Sequence, residues 1–206
     1  MTTAAGSGAE PFVPSRGGLA ALRRAAEGCH GCELWSSATQ TVFGEGPEDA
    51  KVVMVGEVPG DQEDLQGHPF VGPAGKLLDR AMQEAGIDRS AVYVTNAVKH
   101  FKFERRGRKR IHKTPERPEI EACKWWLDRE LAVLKPELIV ALGGTAGRAI
   151  FGRPVKVLSE RGKLSDDARG FKVLLTVHPS MILRIPDETG QRQAFADLVR
   201  DLKRAG

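Results

Sequence analysis

Four short apolar runs recur along the chain, each followed by glycine or polar residues: KVVMVGE (51–57), AVYVTNAV (91–98), ELIVALGG (137–144) and FKVLLTVHP (171–179). Near-continuous apolarity over so few residues is the mark of strands buried on both faces, as in parallel sheets. Between them the apolar positions take helical spacing. LAALRRAA (19–26) stops just before Gly28, and AGKLLDRAMQEAG (74–86) is amphipathic and closed by Gly86, a residue suited to a left-handed cap. RPEIEACKWWLDRELAVL (117–134) places Pro118 at a helix start, TAGRAIFG (145–152) predicts a short helix, and RQAFADLVRDLKRA (192–205) the last one. VPGDQED (58–64) reads as a turn. Apolar strands alternating with helices predict a three-layer α/β/α architecture around a central four-stranded parallel sheet.

Ligands of such sheets sit outside the carboxyl ends of the strands. The residues there are Glu57–Asp64, Asn96–His100, Gly143–Thr145 and His178–Ser180. Three of these four segments carry strong polar chemistry, so they are expected to converge on one crevice.

The chain has 206 residues, 41% hydrophobic and 28% charged, the profile of one soluble domain with a full core. No apolar run reaches bilayer length. The start, MTTAAGSGAEPFVPSRGG, has no charged segment leading into an apolar stretch. A flexible tail over 1–17, a single domain over 18–206 with an insertion at about 101–116, and a cytoplasmic location are the expectations.

Charge changes this picture. The net charge is +4, yet Lys99 to Arg117 holds nine Lys or Arg against Glu104 and Glu116, a local +7 that leaves −3 for the rest. Basicity concentrated in one segment is the footprint of a nucleic-acid contact; a solvated loop without a partner would read the same way. Within RRGRKRIHKTPERP, His112 is the one side chain able to act as a base or nucleophile at neutral pH. A crowd of like charge would hold it neutral. Cys29 and Cys32 form a C-x-x-C turn, with Cys123 far off in sequence. Three cysteines are too few for a disulfide framework and point to metal or redox use.

With those segments aligned, the chain resembles the uracil-DNA glycosylase superfamily in its iron–sulfur branch. GEVPGDQEDLQGHPFVGPAGKLLDRA is similar to the first motif of that branch, YVTNAVK to its second strand end, PELIVALG to its third and VHPS to its closing motif. RKRIH (108–112), on an insertion after NAVKHFKF, resembles the KRRIH-like loop of the UdgX type, with Arg and Lys exchanged in its first part.

The resemblance implies excision of uracil from DNA by cleavage of the N-glycosidic bond, followed by covalent attachment of the deoxyribose C1′ to His112. A conventional turnover glycosylase and a non-enzymatic, metal-containing DNA-binding module are the alternatives. The base would be flipped out and read at its edge. Asn96 offers an amide complementary to uracil N3–H and O4, and Phe70 a stacking face. His178 would donate to the developing anion on uracil O2. Glu57 would stabilise the cationic sugar or orient His112. Gly56, Pro59, Gly60, Asp61, Gln62 and Ser180 would complete the pocket, while Asp64 and His68 are expected to be structural. Arg105, Arg106, Arg108, Lys109, Arg110 and Lys113 would contact phosphates. A [4Fe–4S] cluster would be held by Cys29, Cys32, Cys123 and His100, the last standing where the branch has a cysteine. Three thiolates and an imidazole also suit a structural zinc. The expected partner is uracil-containing DNA in single-stranded form, bound by a monomer, with no membrane contact.

Overall fold

A computed structural model describes residues 8–205. Residues 1–7 of the expected tail lie outside the described residues. Residues 9–12 of that stretch pack on the domain: Ala9 is buried, its N–H donates to the carbonyl of Ala122 (2.8 Å), and Glu10–Phe12 make a 3-10 turn.

The apolar runs form strands β1 (Val52–Gly56), β2 (Val92–Asn96), β5 (Leu138–Leu142) and β7 (Lys172–Thr176), in the order β2-β1-β5-β7, all parallel. A fifth strand, β6 (Leu164–Asp166), runs antiparallel on the β7 edge. It was invisible in the pattern because its three residues are all exposed.

Alternate strand residues face opposite ways, and each set builds a core. Val53, Val55, Tyr93, Ile139 and Ala141 pack with α1 (Leu19–Ala26), α4 (Arg117–Leu134) and α5 (Gly143–Phe151) around the fully buried Trp126. Met54, Val94, Val140, Leu142 and Leu174 pack with α3 (Pro73–Ala85) and α8 (Glu188–Leu202).

Helix ends follow local chemistry. Gly86 closes α3 at φ +80°, a conformation that costs a residue with a Cβ. Pro118 lies in the first turn of α4, where Glu116 and Glu119 form a reciprocal capping box.

Two stretches differ from the sequence reading. Most of VPGDQED is not a turn but the start of α2 (Asp61–Gln66), whose first turn carries Asp61, Glu63 and Asp64, acids that suit the positive end of a helix. The basic insertion is an ordered antiparallel hairpin, β3 (Phe103–Arg106) and β4 (Lys109–His112), joined through Gly107 at φ +60°. Its register sets Phe103 opposite His112. The remaining elements are α6 (Val157–Glu160) and α7 (Pro179–Leu183). Among the described residues no helix is long and apolar enough to cross a membrane.

Candidate active site

Beyond the carboxyl ends of β1, β2 and β7 lies a cleft of about 480 Å³, within the usual size of ligand pockets. It is lined by Glu57 to Glu63, Phe70, Asn96, Ile111, His112, His178, Ser180, Leu183 and Arg184, among others. Thus Glu57, Pro59, Gly60, Asp61, Gln62, Phe70, Asn96, His112, His178 and Ser180 come together from five segments of the chain. Gly56 does not line the cleft. It lies beneath, where a Cβ would strike the Asn96 amide oxygen and the Phe70 ring. Only glycine lets those two groups approach each other there.

Phe70 is held in the left-handed region at φ +59°, which is uncommon for a residue with a side chain. Gly75 makes this possible, since a Cβ at that position would overlap the Phe70 carbonyl. The Phe70 ring lies 6.3 Å from that of His178, at 30°. Asn96 ends β2 and is 4% exposed; its amide makes no hydrogen bond among the described residues. Glu57 Oε1 is buried without a partner. Most buried polar atoms in proteins are paired, so an unpaired Glu57 Oε1 beside the Asn96 amide in one cleft points to a ligand.

His178 caps α7. Its Nδ1 accepts the Ser180 N–H (3.2 Å) and lies 2.8 Å from Ser180 Oγ. A backbone N–H can only donate, so Nδ1 carries the lone pair and the neutral ring bears its proton on Nε2. Burial, with His112 and Arg184 nearby, lowers its pKa to about 4. The ring is therefore a neutral hydrogen-bond donor at pH 7.

His112 also titrates below the ordinary histidine range, but not for the reason the sequence suggested. Desolvation at the cleft is the main cause; Arg184 of the α7 end lowers the pKa further, and Glu57 and Glu63 oppose both. The hairpin cations are not the source. Phe101 stands 6.1 Å from the His112 ring and stacks on Phe103 at 5.0 Å.

Arg105, Arg106, Arg108, Lys109 and Lys113 are exposed along the hairpin, with Arg106 and Lys113 both near Glu104 (3.4 and 2.7 Å). Arg110 is placed differently from its expected neighbours. It is 14% exposed, donates to Asp61 (2.6 Å) and to the fully buried Asp64 (2.5 Å), and lies over Phe101 and Phe103. It fastens the hairpin to α2 and is not free for phosphate. Asp64 also accepts the Thr39 N–H (2.9 Å), a structural role as expected. His68 is an exposed loop residue paired with Glu45 at 2.6 Å.

Glu63, Ile111, Leu183 and Arg184 escaped the sequence reading. Glu63 is buried and accepts the Gly72 N–H (2.9 Å), tying α2 to the start of α3. Its signal was an acid in a turn that proved to be a helix. Ile111 and Leu183 are exposed apolar residues at the cleft mouth, and α7 is too short to show a period.

A separate, smaller gap is lined by Cys29, Cys32, His100 and Cys123, with Lys99 and Trp126. Trp126 Nε1–H donates to Cys29 Sγ (3.2 Å) and the Lys99 N–H to Cys123 Sγ (3.3 Å). Burial pushes the Cys123 thiol up to about 12 and the His100 imidazole down to about 4. Thr41 gives its hydroxyl proton to the Ala26 carbonyl (2.8 Å) and so accepts from His100 Nε2 (2.9 Å). That leaves the His100 Nδ1 lone pair available. Among the described residues no three such side chains converge closely enough to hold a single ion.

Beyond the strand ends of this α/β/α fold, an aromatic face, an amide, a histidine donor and a carboxylate share one cleft beside a basic hairpin. The chain belongs to the uracil DNA glycosylase superfamily, whose family model matches residues 43–203. It is 41% identical over 171 residues to a type-4 uracil-DNA glycosylase of Thermotoga maritima, covering 82% of this chain and 85% of that one. A type-4 uracil-DNA glycosylase of Sulfurisphaera tokodaii is 36% identical over 167 residues, 77% and 73% of the two chains. A type-5 uracil-DNA glycosylase of Pyrobaculum aerophilum is 28% identical over 169 residues, 72% and 69%.

Proposed function

We propose that this protein excises uracil from DNA and then captures the deoxyribose C1′ on His112, ending as a covalent protein–DNA adduct. The observation that carries the reading is the position of His112 at the mouth of the cleft that holds Asn96, Phe70, Glu57 and His178.

The flipped uracil stacks on Phe70 and presents N3–H and O4 to the Asn96 amide; cytosine presents the opposite donor pattern, and a buried mismatch costs about 1–3 kcal/mol. As the C1′–N1 bond breaks, its electron pair leaves with the base. The His178 Nε2–H donates to uracil O2, where the charge gathers. The unpartnered Glu57 carboxylate faces the positive sugar. A ring nitrogen of His112 then gives its lone pair to C1′, forming the C1′–N bond, and the ring's own N–H proton leaves toward Glu57 or solvent. Tethering on a hairpin gives the imidazole an effective concentration that water lacks. The exposed hairpin cations hold the phosphates, and single-stranded DNA threads most readily into a cleft that needs no unpairing.

Cys29, Cys32, Cys123 and His100 fit a [4Fe–4S] cluster. Their gap receives N–H bonds on two sulfurs, as cluster sulfurs do. Bound by Cys29, Cys32, Cys123 and His100, a cluster would serve a structural purpose, because these residues join the N-terminal segment and α4 to the root of the hairpin.

Similarity to the named uracil-DNA glycosylases fits a second reading equally well, ordinary turnover with water as the acceptor. A denaturing gel of the protein with a uracil-containing single-stranded oligonucleotide, beside His112→Ala, separates the two. A band that resists heat and SDS, and is lost in the variant, supports capture. Free protein with abasic DNA from the wild type assigns turnover. Intact DNA from both refutes excision.

A further inference from the structure

We infer that Lys99 is a positioning residue for base recognition: its buried ammonium, paired with Glu130, fixes the main chain at Asn96 and thereby the amide that reads the base. The inference rests on the excision reading above and adds a residue to it.

Lys99 and Glu130 are 1% and 0% exposed, although lysine is almost never fully buried. The three N–H bonds of the ammonium are all used. They go to Glu130 Oε2 (2.5 Å), Thr95 Oγ1 (2.6 Å) and the Asn96 carbonyl (2.8 Å). Glu130 is filled in turn by the Tyr93 hydroxyl (2.8 Å) and Thr95 (3.0 Å). A buried ion pair is weak grounds for stability, since apolar residues of similar volume often serve as well. What the pair does uniquely here is grip one carbonyl.

That carbonyl lies where the chain leaves β2. The next two N–H groups, of Ala97 and Val98, donate to the carbonyls of Gly56 (2.9 Å) and Glu57 (3.0 Å). The same turn thus holds the end of β1 that presents Glu57. The Asn96 amide has no protein partner to orient it. Its place is set by the glycine floor at Gly56 below and by the main chain that Lys99 holds. Misplacing a recognition group by about 1 Å can cost roughly 100-fold in rate.

The test compares single-turnover uracil excision at saturating protein, DNA affinity, melting temperature and metal content for wild type, Lys99→Met and Lys99→Met/Glu130→Leu. Folded variants with wild-type metal content are expected to bind thymine-containing single-stranded DNA as the wild type does, yet to excise uracil about 100-fold more slowly. A folded double variant that excises at the wild-type rate overturns the inference. So does a loss confined to DNA affinity. Should neither fold, Lys99→Arg decides, because a planar fork cannot reproduce the three divergent bonds: a rate at least about tenfold lower at unchanged DNA affinity supports positioning, and an unchanged rate overturns it. Failure of all three to fold assigns Lys99 to folding alone and also overturns it. A wild type that releases no uracil refutes the excision reading instead, so the two failures are distinct.

Discussion

Arg110→Met tests whether the hairpin is a docked part of the site or a passive basic arm. The Arg110 guanidinium bonds the fully buried Asp64 and the half-exposed Asp61 while stacking over Phe101 and Phe103. The Asp61 contact, open to water, contributes little. Removing the partner of a buried carboxylate costs about 3–5 kcal/mol, and the lower end applies because Arg110 itself reaches the surface. About 3 kcal/mol corresponds to roughly a 100-fold change in the ratio of docked to undocked hairpin. If the loss is felt globally, a protein of this size melts about 6–12 °C lower. Single-turnover gels against a uracil oligonucleotide give the chemical side. Adduct formation is expected to fall by up to about 100-fold, while uracil release changes far less, since Asn96 ends β2 and His178 caps α7. Arg108→Met is the control: an exposed cation on the same hairpin should leave melting unchanged and lower the salt slope of DNA binding by about 1. Arg110→Met with wild-type melting and a wild-type adduct rate would refute the latch.

Asn96→Ala should cut uracil excision while leaving the affinity for uracil-free DNA unchanged, measured by glycosylase assay and fluorescence anisotropy. His178→Ala should slow excision by about 10²–10³, the usual cost of one anion-stabilising donor; an unchanged rate removes that residue from the mechanism. His178 also predicts a pH effect on stability. Its folded pKa is about 4 against an ordinary 6.5, so between those values the unfolded chain binds the extra proton. The contribution is complete above pH 6.5 and is lost as pH falls toward 4, and His178→Gln should flatten thermal stability across that window. Purified protein should carry iron and absorb in the visible; Cys123→Ser or removal of the metal should lower the melting temperature, whereas zinc alone in elemental analysis would refute the cluster.

Much of this molecule was legible before folding. The four parallel strands announced themselves because strands covered on both faces must be apolar throughout. Gly86 and Pro118 marked helix ends because their backbones suit only a few positions. The topology rule then named the strand ends where Glu57, Asn96 and His178 converge. Short or exposed elements left no period to read, which is why β6 and the ordered hairpin were missed and α2 was mistaken for a turn.

Contacts distant in sequence belonged to the tertiary structure alone. No local pattern separates Arg110 from the exposed cations beside it, because the partner that removes it from solvent, Asp64, lies 46 residues away. Lys99 looked like one more member of a basic run until α4 brought Glu130 against it inside the core. The His112 pKa is lowered by desolvation at the cleft and by Arg184, against Glu57 and Glu63, groups that no reading of the neighbouring hairpin cations could supply. Sequence determined the four buried strands, the longer helices and the chemical groups at the strand ends, because apolar periodicity and glycine geometry act locally. Burial of charge and the pairing that compensates it depend on what packs across the chain, and only the folded structure decided those.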